Sequence, residues 1–355
     1  MEVPTKMKSS QTYDEEDPVL ERFHLLVNAP ALFNSLVTAL ELDLFTIVSG
    51  GLSSFDEIRG ATGLPPHSLR VLLYAVCTTG LLERRDGHYV NSRVAEEMLT
   101  GDTPDSWRHI LVGWREVYYP AFAHLTEALR AGTNTALAAH PGSEPTLYQR
   151  LAHDPGLEAV FHRAMGAFTL RSVDALVESE QFASTRRLLD VGGGDGTTST
   201  RLTARYPKLT STIFDIPSVS HIAEQATAPS FGERVTVHPG DLFADPFPTG
   251  SDTVLFSHVL EIFSGEQITT LLAKAMDVLP PGGQVLIYGY NASDDETEGW
   301  YSARLTLYLN ALASGQGMAY PAGNYEEWLR QAGFQQVRTL TGYPYEHGLH
   351  IGVKA

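Results

Sequence analysis

One stretch, Leu188-Leu-Asp-Val-Gly-Gly-Gly-Asp-Gly-Thr197, restricts what this chain can fold into more than any other. Leu188 to Val191 is a short apolar run of the kind that makes a buried parallel strand. Gly192, Gly194 and Gly196 follow at once, and a helical pattern then runs to about Arg205. Glycine at such a junction lets the chain turn tightly and lets a ligand lie against the backbone. An ordinary strand–helix turn also uses Gly-x-Gly. Two acids argue for more: Asp190 before the glycines, and Asp215 near the end of a second strand, Ser211-Thr-Ile-Phe-Asp-Ile216. In a doubly wound fold an acid at that strand end holds ribose hydroxyls. The stretch predicts a nucleoside-type cofactor.

Spacing narrows the choice. A dinucleotide needs Gly-x-Gly-x-x-Gly so that its pyrophosphate sits on a helix N-terminus. Here the glycines read Gly-x-Gly-x-Gly, with Asp195 inside the loop. That charge repels a pyrophosphate and suits the cationic, amino-acid end of S-adenosylmethionine. Further pieces are Phe214-Asp-Ile-Pro217, Pro239-Gly-Asp-Leu-Phe243 and Leu279-Pro-Pro-Gly-Gly283. Together they resemble the class I S-adenosylmethionine-dependent small-molecule methyltransferases, in the branch of plant caffeate- and flavonoid-type enzymes and bacterial tailoring enzymes. The resemblance implies an α/β fold: a Rossmann-like, mostly parallel sheet with an antiparallel terminal hairpin, plus a winged-helix dimerisation domain.

Residues 1–17 are polar and read as a mobile tail. From 18 to 100, apolar residues recur at helical spacing, Ser53-Ser-Phe-Asp-Glu-Ile58 offers a helix cap, and Leu81 to Val90 reads as a hairpin turning at Asp86-Gly87. Helix, helix, hairpin is a winged helix, which raises DNA binding as another class of function. Such a reader shows a basic recognition helix. This one carries little beyond His67 and Arg70. The net charge of −17, from 25 Lys+Arg and 42 Asp+Glu, also argues against nucleic acid or an anionic membrane. No run reads as long enough to span a bilayer, and a cytoplasmic enzyme is expected. Cys77 is the single cysteine, so no internal disulfide is possible.

Residues 101–185 read as a helical connector with a Gly/Pro-rich loop at 132–145, and residues 186–355 as the cofactor domain. In the connector, Phe161, Met165 and Phe168 share a helical face. Spacing alone suits core packing. The resemblance implies that Phe161-His162-Arg-Ala-Met165 packs against acceptor and cofactor. Further strands are Val235–Val237, Thr253–Ser257, Gln284–Tyr288, Gln336–Leu340 and Leu349–Val353. Ligands in such sheets bind beyond the strands' carboxyl ends, which gathers Gly192–Gly196, Asp215, Asp241 and Ser257–His258 around one crevice. The resemblance implies Asp215 on the ribose, Asp241 and Leu242 beside the adenine, and Ser257 at the methionine end.

The catalytic pattern departs from the family. O-methylating relatives carry His-Asp-Trp after the fourth strand, and that histidine deprotonates a phenol. This chain reads His258-Val-Leu-Glu-Ile-Phe263, with Glu261 at the base position. The two supporting glutamates of the family align with Gly289 and Ala319. A phenol near ~10 is a poor nucleophile at neutral pH, and a solvated carboxylate near ~4.3 is a weak base unless burial raises it. Three readings follow. Desolvated Glu261 is the base. Or Glu261 anchors substrate while His124, His258 or His162 moves the proton. Or the reaction is aromatic C-methylation, which some histidine-lacking bacterial relatives perform on hydroxylated aromatic amino acids. The third is favoured. Arg304 suits a substrate carboxylate, and Tyr288, Tyr290, Asn291, Tyr301 and Tyr308 are candidates to position a phenol. His258-x-x-Glu261 with His347-x-x-His350 has residue types suited to iron. The last two histidines fall on opposite faces of a strand, however, and no metal is expected. A cofactor-dependent protein that does not methylate, of pericyclase type, is the remaining alternative.

Overall fold

The computed structural model describes residues 17–355. The expected tail lies outside them except for Asp17, whose carboxylate caps the first helix at Val19 N–H. The chain forms two compact units that meet in sequence at Arg108/His109, so the helices after 108 cluster with the sheet rather than with the N-terminal domain.

The N-terminal unit holds the expected two helices and hairpin. Ser54 and Glu57 close a capping box on the helix Phe55–Thr62. The next helix, Pro66–Thr78, buries Leu69, Leu72, Leu73 and Val76. Strands β1 (Leu82–Arg85) and β2 (His88–Asn91) pair antiparallel across Asp86-Gly87. Both turn residues have positive φ, 50° and 85°, the conformation that matches strand twist in a two-residue hairpin. The helix Pro18–Glu41 departs from expectation. Its 24 residues include an 18-residue window of mean hydropathy 1.4, long and apolar enough by composition to cross a bilayer. The reason is local: no Asp, Glu, Lys or Arg stands between Phe23 and Leu40. Leu26 on this helix is 71% exposed, and Tyr74 on Pro66–Thr78 is 75% exposed.

The second unit is built on a seven-stranded sheet. Its strands are β3 (Arg187–Val191), β4 (Thr210–Asp215), β5 (Val235–Pro239), β6 (Thr253–Ser257), β7 (Gln284–Tyr290), β8 (Gln335–Leu340) and β9 (His347–Val353). The order is β5-β4-β3-β6-β7-β9-β8. The first five run parallel, while β9 is antiparallel to both β7 and β8. The central strands β3, β6 and β7 are buried on both faces over most of their length, as parallel strands are. From β3 the chain winds outward one way to β4 and β5, then returns to β6 and β7 on the other side. Such a reversal opens a crevice at the strands' carboxyl ends. Register sets Val191 beside both Phe214 and Phe256, so Gly192, Asp215 and Ser257 emerge together. Because β9 runs backwards, His347 at its start pairs with Tyr290 at the end of β7 and reaches the same end. The loop at 132–145 is not wholly irregular: Thr135–Ala139 is a 3₁₀ turn whose Leu137 packs in a cluster with Leu312 and Ala313.

Candidate active site

The bend after β3 is bare of side chains for steric reasons. Gly192 has φ of 72°, and a Cβ there would stand 2.6 Å from Val259. A Cβ on Gly193 would stand 2.9 Å from the Asp190 carboxylate. Asp190 is fully buried. Its Oδ2 accepts from the Ser199 hydroxyl at 2.7 Å, and Ser199 in turn meets Ser211 at 2.7 Å. Its Oδ1 is buried with no partner. Burial pushes the Asp190 carboxyl up to about 6, with Asp215 and Asp195 adding to the rise and Ser199 opposing it. Asp215 accepts from Gly194 N–H at 2.9 Å and Ile216 N–H at 2.8 Å. Burial raises its proton affinity against those two amides and the nearby His162.

A cavity of about 190 Å³ opens here, walled by the glycine bend, Asp190, His162 and Met165 of the helix Pro155–Val177, and Ser257 and His258 after β6. An orphaned carboxylate oxygen and a glycine cradle, with the half-buried Asp215 at the end of β4 held outside the lining by Gly194 N–H, fit a nucleoside cofactor with a cationic end. Asp241 and Leu242 follow β5 but do not line this cavity. The exposed Asp241 carboxylate accepts from Phe243 and Ala244 N–H, both at 2.8 Å, and so caps its own turn.

Beside the cavity lies a packed aromatic cluster that includes Tyr118, Phe161 and Tyr308. Tyr118 stacks on Tyr308 with ring centroids 3.8 Å apart, and its hydroxyl meets the Met165 sulfur at 3.3 Å. Phe161 packs on Tyr148 and Phe168 on Tyr290. The Arg304 guanidinium lies 3.9 Å from the Trp114 ring centroid and 5.6 Å from that of Tyr118. Its Nη1 is buried without a hydrogen-bond partner, while the guanidinium also reaches the Tyr290 hydroxyl. Among the described residues no carboxylate pairs with Arg304.

Glu261 sits on a 3₁₀ turn, Leu260–Ile262, and is 3% exposed. Its Oε1 accepts from Tyr290 N–H at 2.9 Å, and a Cβ on Gly289 would collide with that oxygen. The carboxylate thus fills the room left by the missing side chain at 289. Burial drives its carboxyl up to about 7, against the two backbone amides that favour the anion.

His258 has φ of 58°, in the left-handed region that a non-glycine residue seldom occupies, with its N–H on the Tyr288 carbonyl at 2.8 Å. Its Nε2 lies 2.7 Å from Nε2 of His347. His350, three residues on, points elsewhere and meets Asn291 and Thr339. His124 is not brought to this site. It is 56% exposed at its side chain, lies 3.8 Å from Glu127, and borders a shallow surface depression. The residue that sequence reasoning passed over is His347, considered only as a metal ligand. Its partner stands 89 positions away, and only the reversed direction of β9 joins them.

Sheet order, glycine bend and paired acids define a class I methyltransferase. A family model described as an O-methyltransferase domain matches residues 122–335. An L-tyrosine C(3)-methyltransferase of Streptomyces lavendulae is 37% identical, over 85% of this chain and 83% of its own length. A 3-hydroxy-5-methyl-1-naphthoate 3-O-methyltransferase of Streptomyces sahachiroi is 32% identical, over 90% of this chain and 91% of its own. The apo structure of the S-adenosylmethionine-dependent methyltransferase SibL superposes with a TM-score of 0.81 at 33% identity, covering 94% of this chain and 99% of that one. The chain belongs to this O-methyltransferase family and is an S-adenosylmethionine-dependent methyltransferase.

Proposed function

We propose that this enzyme methylates a ring carbon of a small hydroxylated aromatic amino acid or related acid in natural-product biosynthesis. The observation that carries this reading is Arg304: a cation in an aromatic cluster with a buried, unpartnered Nη1. Leaving such a donor unmet costs roughly 1–3 kcal/mol, which an acceptor's carboxylate recovers. The tyrosine C(3)-methyltransferase and naphthoate methyltransferase relatives support an aromatic acceptor.

When bound, S-adenosylmethionine supplies an electrophilic methyl group. Asp190 and the Gly192–Gly194 backbone hold its cationic end, Asp215 its ribose, and Ser257 the methionine side; Asp241 and Leu242 are assigned to the adenine edge. Phe161, His162, Met165, Tyr290 and Tyr308 wall the acceptor and Arg304 orients it, so that alignment supplies much of the rate. Glu261, near 7, polarises the acceptor hydroxyl and so loads the ortho carbon with electron density. His258 takes the proton released. The exposed apolar residues of Pro18–Glu41 and Pro66–Thr78 support a homodimer built through the N-terminal unit. O-methylation is the second reading, favoured by the raised carboxyl of Glu261 and by the naphthoate relative. Incubation with methyl-labelled cofactor and a panel of hydroxylated aromatic acids, read by NMR, separates them. A carbon-bound methyl with loss of one ring proton is expected. A methoxy signal overturns the first reading in favour of the second.

A further inference from the structure

The half-buried His258 and the buried His347 are joined by their hydrogen bonds into one device. His347 Nδ1 lies 2.6 Å from the Pro344 carbonyl oxygen. A carbonyl only accepts, so Nδ1 carries hydrogen and donates. In neutral His347 the other nitrogen, Nε2, must then accept. It stands 2.7 Å from His258 Nε2, which therefore donates. That leaves His258 Nδ1 as an acceptor on the cavity wall, where the Ser257 hydroxyl donates to it at 3.3 Å and must turn aside before Nδ1 can take a proton.

We propose that His347 is a positioning residue: with the Pro344 carbonyl it fixes the tautomer of His258, so that Nδ1 is the atom that accepts the acceptor's proton. The inference rests on the reading that a proton is released in this cavity. Once a ring electron pair has bonded the methyl, the methyl–sulfur bond breaking with its pair left on sulfur, the C–H bond at that carbon breaks and its electron pair returns to the ring. The proton goes to Nδ1, and the new imidazolium keeps its Nε2–H on His347. Solvent collects the proton when product leaves.

The surroundings suit this use. Tyr288 and Tyr290 face the pair from β7, Tyr345 and Glu346 from the turn before β9, and Phe168 from the helix Pro155–Val177. No carboxylate among the described residues bonds either ring. Burial pushes His347 down to about 4 and His258 well below its usual value, so both are neutral at pH 7. A weakly basic imidazole serves poorly against a phenol. It is sufficient for a ring carbon that has just gained a methyl, since that proton is strongly acidic. The left-handed backbone at His258 holds the ring where the relay meets it.

The test has one arm that needs no turnover. Imidazole ¹⁵N NMR of the cofactor-free enzyme should show His258 with an unprotonated Nδ1 and a protonated Nε2. A protonated Nδ1 overturns the proposal. His347→Leu should mix the tautomers and lower kcat roughly 10- to 100-fold with cofactor affinity held within about twofold. His347→Gln, which keeps an acceptor near Nε2, should restore most of both. Wild-type turnover in His347→Leu with its tautomers mixed also overturns it; should that variant fail to fold, the wild-type and His347→Gln spectra decide. A methoxy product sinks ring methylation and leaves the tautomer result standing, so the two failures are distinct.

Discussion

The proposed cofactor side and the proposed acceptor side of this site are built in opposite ways. The cofactor side is local. Asp190, the glycine bend and the helix that follows are contiguous, and Asp215 ends the adjacent strand. Its contacts are largely backbone groups and two acids. The acceptor side is assembled from afar. Arg304 lies over Trp114, Tyr118 over Tyr308, Phe168 over Tyr290, and His258 meets His347. A backbone cradle tolerates almost no side-chain change, whereas a wall of side chains can be re-cut for a new substrate without disturbing the sheet.

The comparison breaks most visibly at Gly192. Gly192→Val puts a branched side chain at φ 72° and into Val259. Overpacking and left-handed strain each cost roughly 1–3 kcal/mol. Cofactor affinity should fall at least about 100-fold, together with a lower Tm, by calorimetric titration and scanning. Intact affinity would show that the bend is not the cradle.

Arg304→Met addresses the other side. It keeps the stem over Trp114 and removes the charge. If Arg304 holds an acceptor carboxylate, kcat/KM should fall roughly 10- to 100-fold, mostly through KM, with cofactor affinity unchanged. An equal loss with an acceptor lacking its carboxylate would place Arg304 in packing instead.

The same contrast explains what could be read from residues alone. The strands, the Asp86-Gly87 turn and the cap at Ser54 were legible because each is a local pattern with a local cause. The glycine bend was legible for the same reason. Glu261 was found as a departure at one position, but not its orientation: that depends on Gly289, which is 28 residues away in sequence and adjacent in space. His347 was hidden because strand direction, not sequence spacing, brings it to His258. The apolar length of Pro18–Glu41 was missed because its Asn and Pro residues interrupt the pattern to the eye while adding no charge.

Glu261→Gln sharpens the acceptor side through pH. The fold raises this carboxyl from 4.5 to about 7, so the native state binds more protons than the unfolded chain between those values. Stability is therefore lost as pH rises from about 4.5 to about 7, and is level above. The span corresponds to at most about 3 kcal/mol. Glutamine keeps an acceptor for Tyr290 N–H and cannot ionise. Denaturant unfolding should show the variant gaining on the parent across that window. Parallel curves would mean that the carboxylate is solvated. If the anion polarises the acceptor, parental kcat should also rise through about 7, and the variant should lack that rise.

The smallest effect is expected where the sequence offered a base and the fold withheld it. His124 follows the aromatic residues Tyr118, Tyr119 and Phe122 in sequence. In the structure it stands at the start of the helix Leu125–Ala131, mostly exposed, with the solvated Glu127 3.8 Å away. Exposed pairs of this kind contribute ~0–1 kcal/mol, and surface substitutions away from special features fall within about 0.5 kcal/mol. His124→Ala should leave kcat/KM within about twofold and Tm within a few degrees. A tenfold loss of kcat with cofactor affinity intact would bring His124 back as a proton carrier. It would also mean that the segment after Tyr118 rearranges around the acceptor, which the side-chain wall permits and the backbone cradle does not.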